Sequence, residues 1–113
     1  MTLIDDIEDF SYVDYAVLSL MDRPRTKTAL MQEAIKRYGH IIDHGPYLYG
    51  EYSDDVDESI EGMYADGILK RENGKMVITD YGTELFNAFL DADELDDDDL
   101  IRIKDEILGK GER

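Results

Sequence analysis

The sequence predicts a mainly α-helical fold carrying one small β-hairpin, and three observations between Ser53 and Gly82 predict it. Val56, Ile60 and Met63 recur at helical spacing, so a helix from about Ser53 to Asp66 buries one face. Gly67 closes it, because glycine takes the left-handed conformation that ends a helix, and the apolar period then changes to two residues. Asn73-Gly74 supplies the hairpin, since a type I′ turn needs positive φ at both central residues and this pair tolerates it.

Pairing Glu72 with Lys75 across that turn sets Arg71 opposite Met76, Lys70 opposite Val77 and Leu69 opposite Ile78. Leu69 and Ile78 then share the face that meets the core, and Lys70, Arg71 and Lys75 lie towards the tip. Thr79 follows as an N-cap, and Leu85, Phe86, Phe89 and Leu90 give the next helix its buried face. Helix, hairpin and helix in this order are what a winged helix-turn-helix requires.

The block resembles the second half of winged-helix regulators of the broad MarR/PadR type. The likeness rests on Val56, Ile60 and Met63, on Gly67-Ile68-Leu69, on the Asn73-Gly74 wing and on Thr79-Asp80-Tyr81-Gly82, roughly a quarter of the chain. Upstream, Tyr15 to Met21 followed by Pro24 and a second helix resembles the first helices of the PadR group more loosely. The resemblance implies a DNA-binding transcriptional regulator acting as a homodimer, with two reading units on a pseudo-palindromic site in double-stranded DNA.

At 113 residues the chain closes one core with an extra helix and has no room for two domains. Residues 1–10 read as a helical arm, 11–92 as the winged domain and 93–113 as a C-terminal amphipathic helix. In the arm the apolar positions are Leu3, Ile4, Ile7 and Phe10. Ser11 with Asp14 approximates a capping box for a first helix over about 12–21, whose buried stripe is Tyr12, Tyr15, Ala16, Leu18 and Met21. Thr26 or Thr28 caps a second helix through Leu30, Ala34, Ile35 and Tyr38, closed by Gly39. A loop over 40–52 follows, broken by Gly45, Pro46 and Gly50 and carrying Tyr47, Tyr49 and Tyr52. Leu100, Ile103 and Ile107 mark the last helix, about Asp96 to Leu108, with four aspartates at its positive end. That helix either folds onto its own core or packs against a partner copy, the favoured reading, and Ile4 and Ile7 of the arm are the other candidate for the dimer interface.

Net charge is −16, awkward for a partner of DNA, so its distribution matters more than its total. Residues 23–50 carry +3 and 68–76 carry +2, whereas 1–22, 51–67 and 77–113 carry −6, −7 and −8. The two positive segments are the start of the helix-turn-helix and the wing, where phosphate contacts fall in such domains. Candidate contacts are Arg23, Arg25, Thr26 and Lys27 before the second helix, and Lys70, Arg71, Asn73 and Lys75 on the wing. Tyr49, Tyr52, Ser53, Asp54 and Asp57 are candidates around the third helix. Each has a plainer reading: Arg23, Arg25 and Lys27 as solvated residues at a helix start, the tyrosines as loop packing, and Ser53 as an N-cap.

The third helix opposes DNA binding, because Asp54, Asp55, Asp57, Glu58 and Glu61 would repel a polyanion even though carboxylates can accept from cytosine N4. The solvent offers a resolution. Aspartate outnumbers glutamate 18 to 10 and lysine numbers only 6, a composition that resembles the proteins of salt-in halophilic archaea. At molar salt the Debye length is about 3 Å, so long-range repulsion is nearly abolished, and bound cations could bridge carboxylates and phosphates.

Other classes find little support. The chain has no cysteine, which removes disulfides and thiolate metal sites. His40 and His44 lack a third ligand, and the Asp96–Asp99 run lacks the glycine and terminal glutamate of a calcium loop. No cofactor or metal is therefore expected. Without a nucleophile elbow or phosphate-cradling loop, the reading is a non-enzyme. No apolar run reaches the roughly 18 residues of a membrane span, and the N-terminus is acidic, so the expected location is cytoplasmic. The alternative function is a protein-interaction module on the same fold, antitoxin-like or an adaptor, which docks a basic partner on its acidic third helix. The segment His44-Gly45-Pro46-Tyr47 with Ser53-Asp54-Asp55-Val56 faintly resembles antitoxin-associated winged domains with a Tyr-Gly-Pro-Tyr-Ser-like motif.

Overall fold

The structure, a computed structural model, describes residues 7, 9–42, 49–93 and 95–109, with the backbone alone for 40–42 and 49–53. In chain order the elements are α1 (Tyr12–Leu18), α2 (Lys27–Ile42), α3 (Tyr49–Ala65), β1 (Leu69–Glu72), β2 (Lys75–Ile78), α4 (Asp80–Asp91) and α5 (Asp98–Ile107). It is a mainly helical fold with a two-stranded antiparallel hairpin as its wing. Leu3 and Ile4 of the arm, the Gly45-Pro46-Tyr47 stretch and His44 lie outside the described residues.

α1 is the central helix, packed against α2, α3, α4 and α5. Its Ser11 cap and Asp14 form the expected capping box, with Ser11 N–H donating to Asp14 Oδ2 at 3.0 Å and Asp14 N–H donating to Ser11 Oγ at 3.3 Å. The helix ends at Leu18, three residues short of the expected end. Leu20 and Met21 turn to i−3 carbonyls, a tighter winding that closes the last turn while still burying both side chains. Because every other helix leans on it, Val13, Tyr15, Ala16, Val17 and Leu18 are all buried, more than a one-sided stripe predicts. Tyr15 stacks on Phe89 of α4, ring centroids 3.9 Å apart, and donates its hydroxyl to the Ile7 carbonyl at 2.7 Å.

The stretch between the second and third helices is shorter than the sequence suggests. α2 runs through Gly39 to Ile42, and α3 starts at Tyr49, four residues before Ser53. The expected loop over 40–52 therefore overreaches at both ends: Tyr49, Tyr52 and Ser53 lie in the helix, and Ser53 is not its N-cap. A single internal glycine costs only about 1 kcal/mol, which burial of Leu30, Ala34 and Tyr38 against α1 and α3 offsets. Gly50 sits in a first turn whose amides need no partner within the helix.

After α3 and in the hairpin, the sequence marks where the backbone takes positive φ. α3 closes on Gly67 (φ 78°) with Ile68 N–H donating to the Met63 carbonyl at 2.9 Å and Gly67 N–H to that of Tyr64 at 3.3 Å. Asn73 (φ 55°) and Gly74 (φ 78°) make the hairpin turn, and the strand register is the one expected from it, Leu69 facing Ile78 and Arg71 facing Met76. Leu69 and Met76 are buried, with Ile78 packed against the core beside them. Thr79 caps α4 by accepting from Gly82 N–H at 3.1 Å, while its hydroxyl reaches back to the Gly67 carbonyl at 2.7 Å. The cap thus fastens α4 to the turn that ends α3.

α5, capped by Asp97, folds back onto α1, and Leu100 and Ile103 are buried in the same core as Ile7, with Ile107 packed against it. Within the single chain, α5 thus closes the core against α1. Ile7, Leu100 and Ile103 present no side-chain surface to a partner, because packing within the chain already removes them from water.

One polar pair links α1 to α3 across 45 residues of sequence. Ser59 donates to Asp14 Oδ1 at 2.5 Å, and burial, the dominant influence, lifts the Asp14 carboxyl above its ordinary value of 3.8 despite the hydrogen bonds that oppose the shift. A carboxyl raised on folding binds its proton more tightly in the native state. Its contribution is therefore fully present below the unfolded value and lost as pH rises through the folded one. Asp14→Asn, which can donate to Ser59 while accepting from Ser11 N–H, should gain stability relative to wild type as pH climbs from 3.8 through the carboxylate range. Urea melts at constant salt across that range measure it; parallel wild-type and variant curves would refute the linkage.

Candidate nucleic-acid interface

The basic runs at 23–27 and 70–75, separated by more than forty residues in sequence, are joined by the backbone. Arg25 N–H donates to the Met76 carbonyl at 3.1 Å and Met76 N–H donates to the Arg25 carbonyl at 2.7 Å, an isolated antiparallel bridge. Met76 also faces Arg71 on β1, so Arg25, Met76 and Arg71 lie side by side at strand spacing. Arg23, Arg25, Lys70, Arg71 and Lys75 thereby border one small ribbon at one edge of the molecule. No sequence period announced this bridge, because one residue of strand leaves no period.

Within that border the cations differ in how they are held. Arg25, with a side chain only 15% exposed, donates through Nε to the Leu20 carbonyl at 2.7 Å and through a terminal nitrogen to Asp22 at 3.4 Å. It anchors the chain between α1 and α2 more than it offers charge to solvent. Lys70 meets Glu72 at 3.0 Å on the outer face of the wing. Arg71 lies over the ring of Tyr64, 5.4 Å from its centroid, tying the wing to the end of α3. Sequence reasoning missed Tyr64, which sits one step off the apolar ladder of α3. Among the described residues Arg23 and Lys75 are exposed and carry no ion pair, and Asn73 is exposed at the wing tip.

Thr26 and Lys27 open α2. The Thr26 hydroxyl accepts from Ala29 N–H at 3.2 Å, so this residue caps the helix. Lys27 turns towards α3, where its ammonium meets the carboxylates of Asp57 and, at 2.8 Å, Glu61. Hydrogen bonding to Asp57 first and Glu61 second raises the Lys27 ammonium above its ordinary value of 10.5. The sign places this stabilisation below pH 10.5, with loss as pH rises past the folded value. With the Lys27 side chain about a third exposed, the cluster contributes about 0.5–1 kcal/mol after solvent screening.

α3 shows solvent the carboxylates of Asp54, Asp55, Glu58 and Glu61, with Asp57 half-exposed. Tyr49, Tyr52 and Ser53 stand on its first two turns in backbone terms. Among the described residues no three His, Cys, Asp or Glu side chains are grouped to hold a metal, and no helix is long and apolar enough to cross a membrane. Among the described residues the exposed large apolar side chains are Tyr64, Tyr81, Ile101 and Leu108, the last two bordering a hollow of about 260 Å³ with Leu95 and Lys104. In comparisons with known proteins, no family model, curated sequence or solved structure matches this chain.

Proposed function

We propose that the chain is a DNA-binding transcriptional regulator that works as a dimer in a high-salt cytoplasm, holding phosphates with its wing and the strand that precedes α2. The observation that carries this reading is the Arg25–Met76 backbone pair, which turns two short basic runs into one positive edge on a chain of net charge −16. Arg23, Lys75 and the wing-tip Asn73 supply the exposed donors, and Arg71 and Lys70 flank them. α3 meets the duplex only where its carboxylates are screened, and molar salt shortens the Debye length to about 3 Å. Bound cations can then sit between carboxylates and phosphates. Ile7, Leu100 and Ile103 being internal, the dimer would use the exposed pair Ile101 on α5 and Leu108 at its C-cap, seven residues apart.

Reversing the wing charge with Arg71→Glu and Lys75→Glu should weaken binding to the chain's own upstream DNA at least tenfold at moderate salt and flatten the log–log salt dependence by roughly two. Fluorescence anisotropy over a KCl titration, with oligomeric state followed in the same buffers, measures both. A folded wild-type protein silent towards that DNA at every salt concentration would sink the reading.

A second reading has its own observation. The pairing of Lys27 with Asp57 and Glu61, together with Asp54, Asp55 and Glu58, which carry no ion pair among the described residues, leaves α3 a negative surface suited to a basic protein. In that case the wing reversal would leave partner binding unchanged.

A further inference from the structure

We propose that the contact of Lys27 with Asp57 and Glu61 is an autoinhibitory clamp, which withholds Lys27 from phosphate at low ionic strength and releases it as salt rises. The inference deepens the DNA-binding reading and rests on it.

Lys27 is the one member of the basic 23–27 segment whose charged end is directed at α3. Its position at the first residue of α2, next to the cap Thr26, is a place from which a lysine can reach a duplex laid against α3. Instead its ammonium joins two carboxylates, and the three groups together carry a net charge of −1. A phosphate approaching this cluster meets excess negative charge. To bind Lys27 it must displace both carboxylates and leave them facing the polyanion.

Salt changes the balance of that exchange. The Asp57 and Glu61 side chains are 46% and 48% exposed, so ions reach the cluster and screen its attractions. The same screening removes the repulsion between freed carboxylates and DNA. At molar salt opening the clamp is least unfavourable, because the freed carboxylates no longer repel the polyanion and a contact hydrogen bond to phosphate replaces those to carboxylate. The clamp also joins the start of α2 to the middle of α3, thirty or more residues apart, so it belongs to the folded helix-turn-helix and not to either helix alone.

The test is a double-mutant comparison on the full chain, read as the dissociation constant for its own upstream duplex. Asp57→Asn with Glu61→Gln should tighten binding about tenfold at low salt and much less at molar KCl, where the clamp is already open. Asp55→Asn with Glu58→Gln removes the same charge from the same helix without touching Lys27, and should tighten binding less. Lys27→Gln should cancel the extra gain in the Asp57/Glu61 variant. Equal gains in the two acid-removal variants, or an extra gain that survives Lys27→Gln, would overturn the clamp while leaving DNA binding intact. Wild type and variants all silent at every salt, with their melts showing them folded, would overturn both.

Discussion

Gly82→Ala is expected to lower the unfolding free energy by roughly 3 kcal/mol, although alanine is the better helix former. Gly82 lies in the first turn of α4, and a Cβ there would stand 2.4 Å from the Ile68 carbonyl oxygen and 2.8 Å from Ile78 Cγ1. A side-chain end could rotate away; a carbonyl cannot. That carbonyl also accepts from Thr79 N–H at 3.0 Å, so moving it loosens the cap of α4 and the base of the wing together. In an ordinary helix the same substitution would stabilise by about 1 kcal/mol, which makes the sign of the change diagnostic. Chemical denaturation of the two proteins in one high-salt buffer decides it. An equal or higher midpoint for the variant would show that α4 does not approach the Ile68 backbone this closely.

Phe89→Ala should cost more, about 4 kcal/mol, because it removes a large fully buried ring and leaves a cavity beside α1. Phe89 stacks on Tyr15, itself wholly buried and bonded through its hydroxyl to the Ile7 carbonyl. Losing the ring frees Tyr15 to shift, and with it the hold on the segment before α1. Against a total stability of about 5–15 kcal/mol, such a loss leaves the variant marginal or unfolded. Thermal and denaturant melts check this directly, and a loss under 1 kcal/mol would mean that α4 packs on α1 without relying on the ring pair.

The elements most legible in the sequence are those fixed by local geometry. Gly67, Asn73-Gly74 and Thr79 each answer a backbone requirement within a few residues, and the structure puts positive φ or a cap at each. The register of the hairpin follows from its turn, and so could be read in advance. The helix boundaries around 39–53 were less legible, because glycine is only a weak brake and burial of α2 carries the helix past it. Among the candidate contacts, sequence placed Arg25 and Lys27 in a basic segment but gave no sign of their partners. Leu20, Asp22, Asp57 and Glu61 reach them only after the chain has turned back on itself.

The sequence by itself determined a mainly helical chain with a hairpin wing, the positive-φ turns, the caps and a strongly acidic charge with two basic runs. Each of these depends on neighbours within about one turn of helix or strand, where steric and hydrogen-bonding rules act on the local chain. Tertiary structure alone decided that the two basic runs share an edge, that Lys27 faces the carboxylates of α3, and that α5 closes its own core against α1. Those outcomes depend on which distant surfaces are buried against each other. Local periodicity marks which face of a helix is buried, but which distant surface it packs against is a property of the whole chain.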